Sequence, residues 1–357
     1  MVKSVYIHIP FCKNICSYCD FCKFFYNENW ISKYIESLEK EISEKYKNEE
    51  LNTIYIGGGT PSSLTLKDLE KLFDITNKLK LNKEYEFTME FNVEDIERDK
   101  LKLCKENKVN RISIGIQSFN RDNLIFLERK ETSDIDKKIE LVKKYFDNIN
   151  IDLIYALPNQ TLESLEKDID KFLKLNIPHI SCYSLILEEH TKLHNKNIKP
   201  IDEDLDYEMY SLIDKKLRDY DHYEISNYAK QGYESKHNLT YWNNEEYYGF
   251  GVGASGYIKN IRYTNSKNII DYMNQIYKRT EEKISKEEKM SLELILGFRK
   301  MSGININDFN SKYKVDITSL YNIKELLNKN MLQIKDNYIH INKKYLYLSN
   351  EILVNFV

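Results

Sequence analysis

Three cysteines near the start of the chain, Cys12, Cys16 and Cys19, have the spacing C-x3-C-x2-C. They lie in one predicted loop, directly after an alternating run at residues 5–9 that predicts a strand ending at Pro10. Thiolate is the usual protein ligand of iron–sulfur clusters. A four-iron cubane has one iron more than three cysteines can bind. The spacing therefore predicts a [4Fe–4S] cluster with one iron open to a small molecule.

Two other uses of these cysteines can be weighed on the same residues. Structural zinc normally takes four ligands, and Cys22 is close enough in sequence to be the fourth, so a zinc site stays open on spacing alone. A disulfide framework is not expected, because such frameworks belong to short secreted chains and this chain shows no secretory signal. The two distant cysteines, Cys104 and Cys182, are interpreted as small buried residues.

The composition is typical of a globular protein. The 357 residues suffice for one large domain and a smaller one, and the hydrophobic fraction of 41% permits a sizeable core. The net charge of −3 gives no bulk electrostatic argument for nucleic acid. No apolar run is long enough to span a bilayer, and the first strand begins too early to leave room for a targeting peptide. Because four of the six cysteines cluster in the first segment, which fits a reducing compartment, we expect a cytoplasmic protein.

Runs with strand character alternate with helical runs through the first half of the chain. The predicted strands are residues 5–9, 51–56, 85–91, 111–116, 149–156 and 179–187. The predicted helices between them are residues 30–46, 63–79, 93–107, 134–146 and 162–175. This alternation indicates βαβ units and a parallel sheet. A partial (β/α)6 barrel and a doubly wound sheet fit the pattern equally well.

Distinctive residues stand where the predicted strands end. They are the cysteine loop, the glycine run at residues 57–59, Glu90, Gln117 and Asp152. In both candidate architectures, ligands bind at the carboxyl ends of the strands. Each residue is a weak signal alone, since glycine turns end many strands and most glutamates are solvated. Their coincidence at one edge of the sheet predicts a single site.

The pattern changes at about residue 192. We expect three parts: a partial barrel at 1–190, an extension at 191–280 and a C-terminal domain at 281–357. The last part combines helices with a hairpin that turns at Asp336-Asn337, which suggests a winged-helix shape, and no basic recognition face is apparent.

The extension contains a histidine next to two aromatic residues, in the segment HNLTYW at 237–242. Imidazole is a common axial ligand of haem iron, and Tyr241 and Trp242 could offer flat apolar surface to a macrocycle. From these residues alone, a different interpretation is favoured, in which His237 and the aromatic side chains pack a joint between domains.

Taken in order, the motifs resemble those of the radical S-adenosylmethionine (SAM) superfamily, and within it the group of coproporphyrinogen III dehydrogenases and haem chaperones (the HemN/HemW group). The resemblance covers nearly the whole chain. It implies an α/β fold, a partial (β/α)6 barrel followed by a smaller, winged-helix-like α+β domain. The matching segments are YIHIPFCKNICSYCDF (6–21), GGGTPS (57–62), Glu90, GIQSF (115–119), NIDLIYALPNQT (150–161), HNLTYW (237–242) and GFGVGAS (249–255).

The resemblance also implies functional residues. In that superfamily the open iron chelates the amino and carboxylate groups of SAM. The implied cluster ligands are Cys12, Cys16 and Cys19. The implied SAM residues are Tyr6, Tyr18, Gly58, Gly59, Thr60, Glu90, Gln117, Arg129 and Asp152. The implied haem residues are His237, Tyr241 and Trp242.

Within the group, the chain resembles the haem chaperones more than the dehydrogenases. The dehydrogenases have a long extension before the cysteines and a further cysteine after them; this chain has few residues before Tyr6 and carries Phe21 at that further position. Cys22, directly after Phe21, departs from the chaperone pattern, in which a small or polar residue is more usual, and its role is left open. The expected cofactors are therefore a [4Fe–4S] cluster and SAM, with haem as cargo.

The chaperone resemblance implies partners as well. Haem-accepting apoproteins such as respiratory cytochromes are expected, with reduced flavodoxin or ferredoxin as electron donor and no nucleic acid. Peripheral membrane association through partners and a homodimer are both compatible with this interpretation, and whether the protein is an enzyme is left open. The alternatives are a coproporphyrinogen III dehydrogenase and a non-enzymatic, zinc-stabilised binding module.

Overall fold

The computed structural model describes residues 2–130 and 132–357. Its strands are β1 (Ser4–Ile9), β2 (Phe11–Cys12), β3 (Phe24–Phe25), β4 (Leu51–Gly58), β5 (Leu81–Asn92), β6 (Arg111–Gln117), β7 (Asn148–Tyr155), β8 (His179–Ser184), β9 (Asp221–Glu224), β10 (Asn227–Ala229), β11 (Tyr248–Phe250), β12 (Ser255–Ile258), β13 (Ile261–Asn265), β14 (Arg279–Lys283), β15 (Ile304–Asn305), β16 (Leu332–Lys335) and β17 (Tyr338–Ile341). Its α-helices are α1 (Glu28–Lys45), α2 (Leu66–Thr76), α3 (Arg98–Glu106), α4 (Arg121–Phe126), α5 (Ile135–Lys143), α6 (Leu162–Leu175), α7 (Lys192–Asn195), α8 (Glu203–Lys216), α9 (Lys236–Trp242), α10 (Ile269–Met273), α11 (Lys286–Gly297), α12 (Ile306–Tyr313), α13 (Tyr321–Asn328) and α14 (Ser349–Leu353).

The main sheet runs in the order β11-β1-β4-β5-β6-β7-β8-β10-β9. The strands from β1 to β8 in this sheet are parallel and adjacent in chain order. A doubly wound sheet would reverse its strand order at a switch point, and this sheet does not. The α/β fold with a partial barrel of six βα units is therefore confirmed.

Alternation along each strand separates the hydrophobic layer from the barrel interior. In β6, Ile112 and Ile114 are buried in the main hydrophobic core. Ser113, Gly115 and Gln117, on the other face of the same strand, line an open cavity. Successive side chains of a strand point to opposite faces, so an alternating sequence produces both layers at once. The interior of the barrel is consequently polar.

The extension completes both edges of this sheet. β11 adds a parallel strand beside β1, while β10 and β9 add antiparallel strands beyond β8. A buried carboxylate, Glu41 of α1, fastens the extension to the barrel: it accepts hydrogen bonds from Gly251 N at 2.9 Å, Asn265 Nδ2 at 3.1 Å and Tyr272 Oη at 2.7 Å. The sheet is therefore shared between the first two predicted parts, and the three-part division remains a prediction.

The C-terminal part has a hydrophobic core of its own, with Phe298, Phe309 and Ile339 among its buried members. It follows the order α11, β15, α12, α13, β16, β17, and its strands form an antiparallel sheet in the order β15-β17-β16. This is the winged-helix arrangement. Asp336 and Asn337 both have positive φ, as a tight hairpin turn between β16 and β17 requires.

Across residues 2–130 and 132–357, no helix has the length and hydrophobicity needed to cross a membrane.

Candidate radical SAM site

A cavity of about 410 Å³ opens at the carboxyl ends of the parallel strands. Strand ends from β4 to β8 and the cysteine loop form its walls. Most of the predicted site residues meet there: Cys12, Cys16, Tyr18, Cys19, Gly58, Gly59, Thr60, Glu90, Gln117, Arg129 and Asp152. Four predicted residues are not part of the cavity wall: Tyr6, His237, Tyr241 and Trp242.

The three cysteine thiols are unbridged and each faces the cavity. Thr60 Oγ1 donates to Cys12 Sγ at 3.5 Å, and Arg129 Nη1 donates to Cys16 Sγ at 3.5 Å. Burial raises the pKa of Cys12 to about 11 and also raises the pKa of Cys19. Thiols with such raised pKa values ionise when a metal ligates them, because the metal charge offsets the lost hydration. This donor set fits a cluster held by three thiolates.

Cys22 stands apart from the other cysteines of the loop. It is half-buried, lies against Gly253 and is not part of the cavity wall. Its carbonyl oxygen accepts a hydrogen bond from His8 Nε2 at 2.7 Å. Within the described part of the chain, no group of three or more His, Cys, Asp or Glu side chains is placed to hold a single metal ion, such as zinc.

The glycine run joins the cavity floor to the first strand. Gly58 has a φ of 113°, and a Cβ atom there would lie 2.4 Å from ring atoms of His8. Only glycine adopts this conformation without strain, and only glycine leaves the ring its space. Gly59 N donates to Ile9 O at 2.8 Å and Thr60 N donates to Phe11 O at 2.9 Å. The backbone at residues 58–60 is thereby held against the cysteine loop, where it can approach a ligand closely.

Glu90 is the carboxylate nearest this backbone. Its Oε1 accepts from Tyr55 Oη at 2.8 Å, and its Oε2 accepts from Gly58 N at 3.1 Å. Burial raises the pKa of Glu90 to about 7; the negative charge of Asp152 acts in the same direction, while the two hydrogen bonds act against it. A carboxylate in this environment can accept hydrogen bonds from ligand hydroxyls when it is ionised.

Arg129 joins three walls of the cavity. Besides Cys16, its guanidinium donates to Asn92 Oδ1 at 3.0 Å and to Gly115 O at 2.5 Å. Burial acts to lower the pKa of Arg129, but the neighbouring Tyr18 and Cys16 outweigh it, so the pKa is raised. The guanidinium is therefore a permanent positive charge beside the cysteine loop, suited to a carboxylate ligand.

Several cavity residues escaped the sequence analysis. Asp152 accepts from Ser113 Oγ at 3.2 Å and from Asn150 Nδ2 at 2.8 Å, and neither partner was predicted. Tyr55 and Asn92 were also missed. The available signal was the period of two along each strand, which puts Tyr55 on the face of Gly57 and Asn92 on the face of Glu90.

Tyr6 lies in the barrel interior. Burial lowers the pKa of His8 to about 4, so the ring is neutral. Since His8 Nε2 faces the carbonyl oxygen of Cys22, the proton belongs on Nε2, and Nδ1 accepts from Tyr6 Oη at 2.8 Å. Tyr6 thus supports the loop that carries the cysteines through His8, and its predicted contact with SAM remains a prediction.

His237 lies at the opposite, amino-terminal side of the barrel. Its Nδ1 is 2.7 Å from Thr53 Oγ1, its Nε2 is 2.7 Å from Tyr241 Oη, and its backbone N donates to Glu86 Oε1 at 3.0 Å. The ring stacks on Tyr55 with 5.1 Å between centroids. Burial, aided by the charge of Arg111, lowers the pKa of His237 to about 3. The imidazole is neutral and buried, and both of its nitrogens have partners.

Tyr241 and Trp242 continue this packing. Tyr241 lies edge-on to His237 and to Tyr247. The guanidinium of Arg299, from the C-terminal part, lies 4.4 Å from the ring centroid of Trp242. The segment predicted for haem therefore joins the barrel to the C-terminal part, and its haem contact remains a prediction.

Three free thiols, a glycine-lined strand end and a guanidinium around one cavity of a partial barrel define a radical SAM site. The sequence matches the Radical SAM superfamily over residues 6–172. The fold resembles that of coproporphyrinogen III oxidase (HemN) from Escherichia coli, a radical SAM enzyme, with a TM-score of 0.87 over 99% of this chain and 90% of that chain, at 19% identity.

Relatives in sequence are closer. The heme chaperone HemW of Lactococcus lactis is 43% identical, covering 99% of this chain and 97% of the relative. The heme chaperone HemW of Bacillus subtilis is 38% identical, covering 100% of this chain and 99% of the relative. The chain belongs to the HemW family of radical SAM proteins. The superfamily implies a [4Fe–4S] cluster and SAM, which the thiols and the cavity described above fit.

Proposed function

We propose that this protein is a haem chaperone that holds a [4Fe–4S] cluster on Cys12, Cys16 and Cys19, binds SAM in the adjoining cavity and passes haem to apoproteins. One observation carries the proposal: the three thiols and the proposed SAM residues other than Tyr6 meet in one cavity of a chain that matches HemW relatives over its full length. When bound, the cluster supplies an open iron for SAM and an electron for its cleavage.

Each SAM residue has a role in this proposal. The backbone at residues 58–60 approaches the amino group, because the glycines let this backbone pack closely against His8 and the cysteine loop in the cavity wall. Glu90 accepts from the ribose hydroxyls, and Arg129 attracts the carboxylate of SAM. Gln117 and Asp152 provide further polar contacts, and Tyr18 closes the wall beside the cysteines. Tyr6 acts from behind, through His8.

The cargo site is the less complete part of the proposal. If His237 is the axial ligand of haem, α9 must release the imidazole from Thr53 or from Tyr241, because each ring nitrogen has a partner. Haem-accepting proteins such as respiratory cytochromes are the proposed recipients, and reduced flavodoxin or ferredoxin is the proposed electron donor. Free thiols throughout the described chain favour the proposed cytoplasmic location. Association with a membrane through these partners, and a homodimer, belong to the same proposal.

The test uses the full chain after anaerobic reconstitution with iron and sulfide. We expect a brown protein that binds haemin, shows a Soret band and loses the haem to an added apocytochrome. A parallel sample receives coproporphyrinogen III, SAM and a reductant. Decarboxylated product at catalytic turnover, or a failure to bind haemin, contradicts the chaperone function. Recovery of a colourless zinc protein contradicts the cluster.

A further inference from the structure

Gln117 has a backbone conformation that residues other than glycine rarely adopt. Its φ is 70°, and it ends β6, where the pairing with β7 shifts register between Gly115 and Gln117. Left-handed conformations of such residues cost about 1–3 kcal/mol and persist only where the surroundings enforce them. Here the conformation places Gln117 in the cavity wall. A neighbouring group must therefore hold the backbone of Gln117 in this conformation.

Asp168, on the buried face of α6, is placed to do this. Its Oδ2 accepts from Ser118 Oγ at 2.5 Å, and its Oδ1 accepts from the backbone N of Phe119 at 2.9 Å. The two oxygens thus bind the two residues that directly follow Gln117. Since Ser118 is fully buried, the chain leaves β6 along a fixed path.

The same contacts extend to the next wall of the cavity. Ser118 Oγ also accepts from Asn120 N at 3.0 Å and from Asn123 Nδ2 at 3.1 Å. Asn120 in turn caps α4, the helix that leads to Arg129. A single carboxylate therefore fixes the start of the segment that supplies both Gln117 and Arg129.

Packing alone does not explain why this position is an aspartate. Asp168 is 3% exposed, and within residues 2–130 and 132–357 no lysine, arginine or histidine forms an ion pair with it. Burial raises the pKa of Asp168 to about 6, opposed by its hydrogen bonds from Ser118, Phe119 and Asn120. A buried carboxylate without a cation is costly to desolvate, so its presence here calls for a role that an apolar residue cannot supply.

We propose that Asp168 is a positioning residue of the SAM site, which holds Gln117 in its left-handed conformation without touching the ligand. The inference rests on the proposed function, because the proposed function is what assigns to Gln117 a contact with SAM. It predicts that loss of the Asp168 carboxylate weakens SAM binding while the cluster still assembles on the cysteines.

The experiment compares reconstituted wild-type protein with Asp168→Asn. SAM is titrated against the reduced cluster, and the change that SAM causes in the electron paramagnetic resonance spectrum gives the affinity. We expect about tenfold weaker SAM binding in Asp168→Asn, equivalent to about 1.4 kcal/mol, with the spectrum before SAM unchanged. The matched control is Asp170→Asn, since Asp170 lies on the same helix but is partly exposed and paired with Lys216. It should bind SAM as the wild type does.

The outcomes separate the two proposals. If Asp168→Asn binds SAM with wild-type affinity, the positioning role is wrong, and the proposed function stands because cluster and SAM binding persist. If the wild type itself shows no spectral response to SAM, the proposed function fails first. Should Asp168→Asn not fold, Ser118→Ala removes one donor to Asp168 and must weaken SAM binding in the same direction; wild-type affinity in Ser118→Ala overturns the inference.

Discussion

The two ends of the barrel carry motifs of the same family but differ in how their polar groups are used. At the carboxyl end, the thiols, Glu90 and Arg129 surround an open cavity. At the amino-terminal end, α9 lies across the strands. Glu86 accepts from the backbone of Lys236 and His237, and Ser4 Oγ lies 2.9 Å from Thr240 Oγ1. One end is built to receive a ligand and the other is closed by the protein itself.

The difference shows why the same residue types have different meanings in the two places. His237 is buried and has a partner for each hydrogen-bonding group, so its polar atoms stabilise the fold. Cys12 and Glu90 face open space, and burial raises their pKa values to about 11 and about 7. The pKa of His237 is shifted as well, so the open cavity is what separates the two ends: a perturbed group beside a cavity is a candidate for chemistry, whereas one enclosed by protein partners is a candidate for stabilising the fold. Each of the following predictions tests this contrast.

The largest effect is expected at the cysteines. Ser in place of Cys12, Cys16 or Cys19 removes one of the three proposed cluster ligands, and among the described residues no other thiol lines the cavity to replace it. We expect each variant to lose nearly all reconstituted iron and sulfide. Iron and acid-labile sulfide are measured per folded chain after anaerobic reconstitution.

Cys22→Ser is the matched control, because Cys22 belongs to the same loop but lies outside the cavity wall. It should retain the cluster. Equal loss of metal in Cys22→Ser would show that four thiols act together, as in a structural zinc site.

A large effect on stability is expected for His237→Ala. The change deletes a buried ring, leaves Thr53 and Tyr241 without partners and opens a cavity beside Tyr55. We expect the free energy of unfolding to fall by about 2–4 kcal/mol, as for truncations that combine a cavity with lost hydrogen bonds. Denaturant unfolding measures the loss, and the cluster content per folded chain should stay at the wild-type level.

Tyr241→Phe serves as the graded companion. It removes one hydroxyl partner of His237 and should cost about 1 kcal/mol, the usual net worth of a hydrogen bond. Loss of the Soret band in His237→Ala at unchanged stability would contradict the contrast, since it would make the amino-terminal end the haem site.

The sequence was sufficient to predict which residues meet at the carboxyl edge of the sheet. It was not sufficient to predict how α9 closes the amino-terminal end of the barrel. Residues at strand ends share an edge because parallel strands start and stop together, so Glu90, Gln117 and Asp152 could be predicted to meet. The fate of His237 depends on Thr53, which is 184 positions away, and no local pattern encodes that contact. The short strands β9, β10 and β11 were missed for the same reason, since only pairing with distant strands defines them.

Asp168 left a signal that went unused. On α6, Leu165, Ile169 and Phe172 form the buried face, and Asp168 lies within it. An acidic residue on the apolar face of an amphipathic helix needs a buried partner, and the search for one leads to the end of β6. Its partner Ser118 is 50 positions away, so the pattern identifies the position without identifying the contact.

An intermediate effect is expected for Glu90→Gln. The variant keeps the shape of the side chain but loses the charge that is proposed to accept the ligand hydroxyls, so SAM affinity should fall about tenfold, or about 1.4 kcal/mol. The spectral response of the reduced cluster to SAM measures it. Wild-type affinity in the variant would remove Glu90 from the SAM site.

Glu90→Gln should lower SAM affinity but raise the free energy of unfolding relative to the wild type at high pH. The pKa of Glu90 is raised from its ordinary value of 4.5 to about 7 in the fold, so the unfolded chain loses this proton first as the pH rises. The wild type therefore loses stability between about pH 4.5 and pH 7, whereas Glu90→Gln does not. Denaturant unfolding of the cluster-free proteins should favour the variant at pH 8 and show little difference at pH 4.5. A parallel pH dependence in both proteins would contradict the raised pKa.

The smallest effect concerns what keeps the amino-terminal end closed. Arg299 stacks on Trp242 and also lies 4.0 Å from the buried carboxylate of Glu224. Arg299→Lys keeps a positive charge near Glu224 but loses the planar stack, and should cost about 0.5–1 kcal/mol.

Hydrogen exchange is the sharper measurement, because local opening of α9 shows there even when global unfolding hardly changes. Arg279→Lys is the matched control, since Arg279 of β14 stacks on Tyr263 of β13 at 4.5 Å rather than on a residue of α9. Faster exchange in α9 for Arg299→Lys, but not for Arg279→Lys, would show that the C-terminal part holds α9 in place. Unchanged exchange would mean that Glu86, Thr53 and Ser4 suffice to close this end without it.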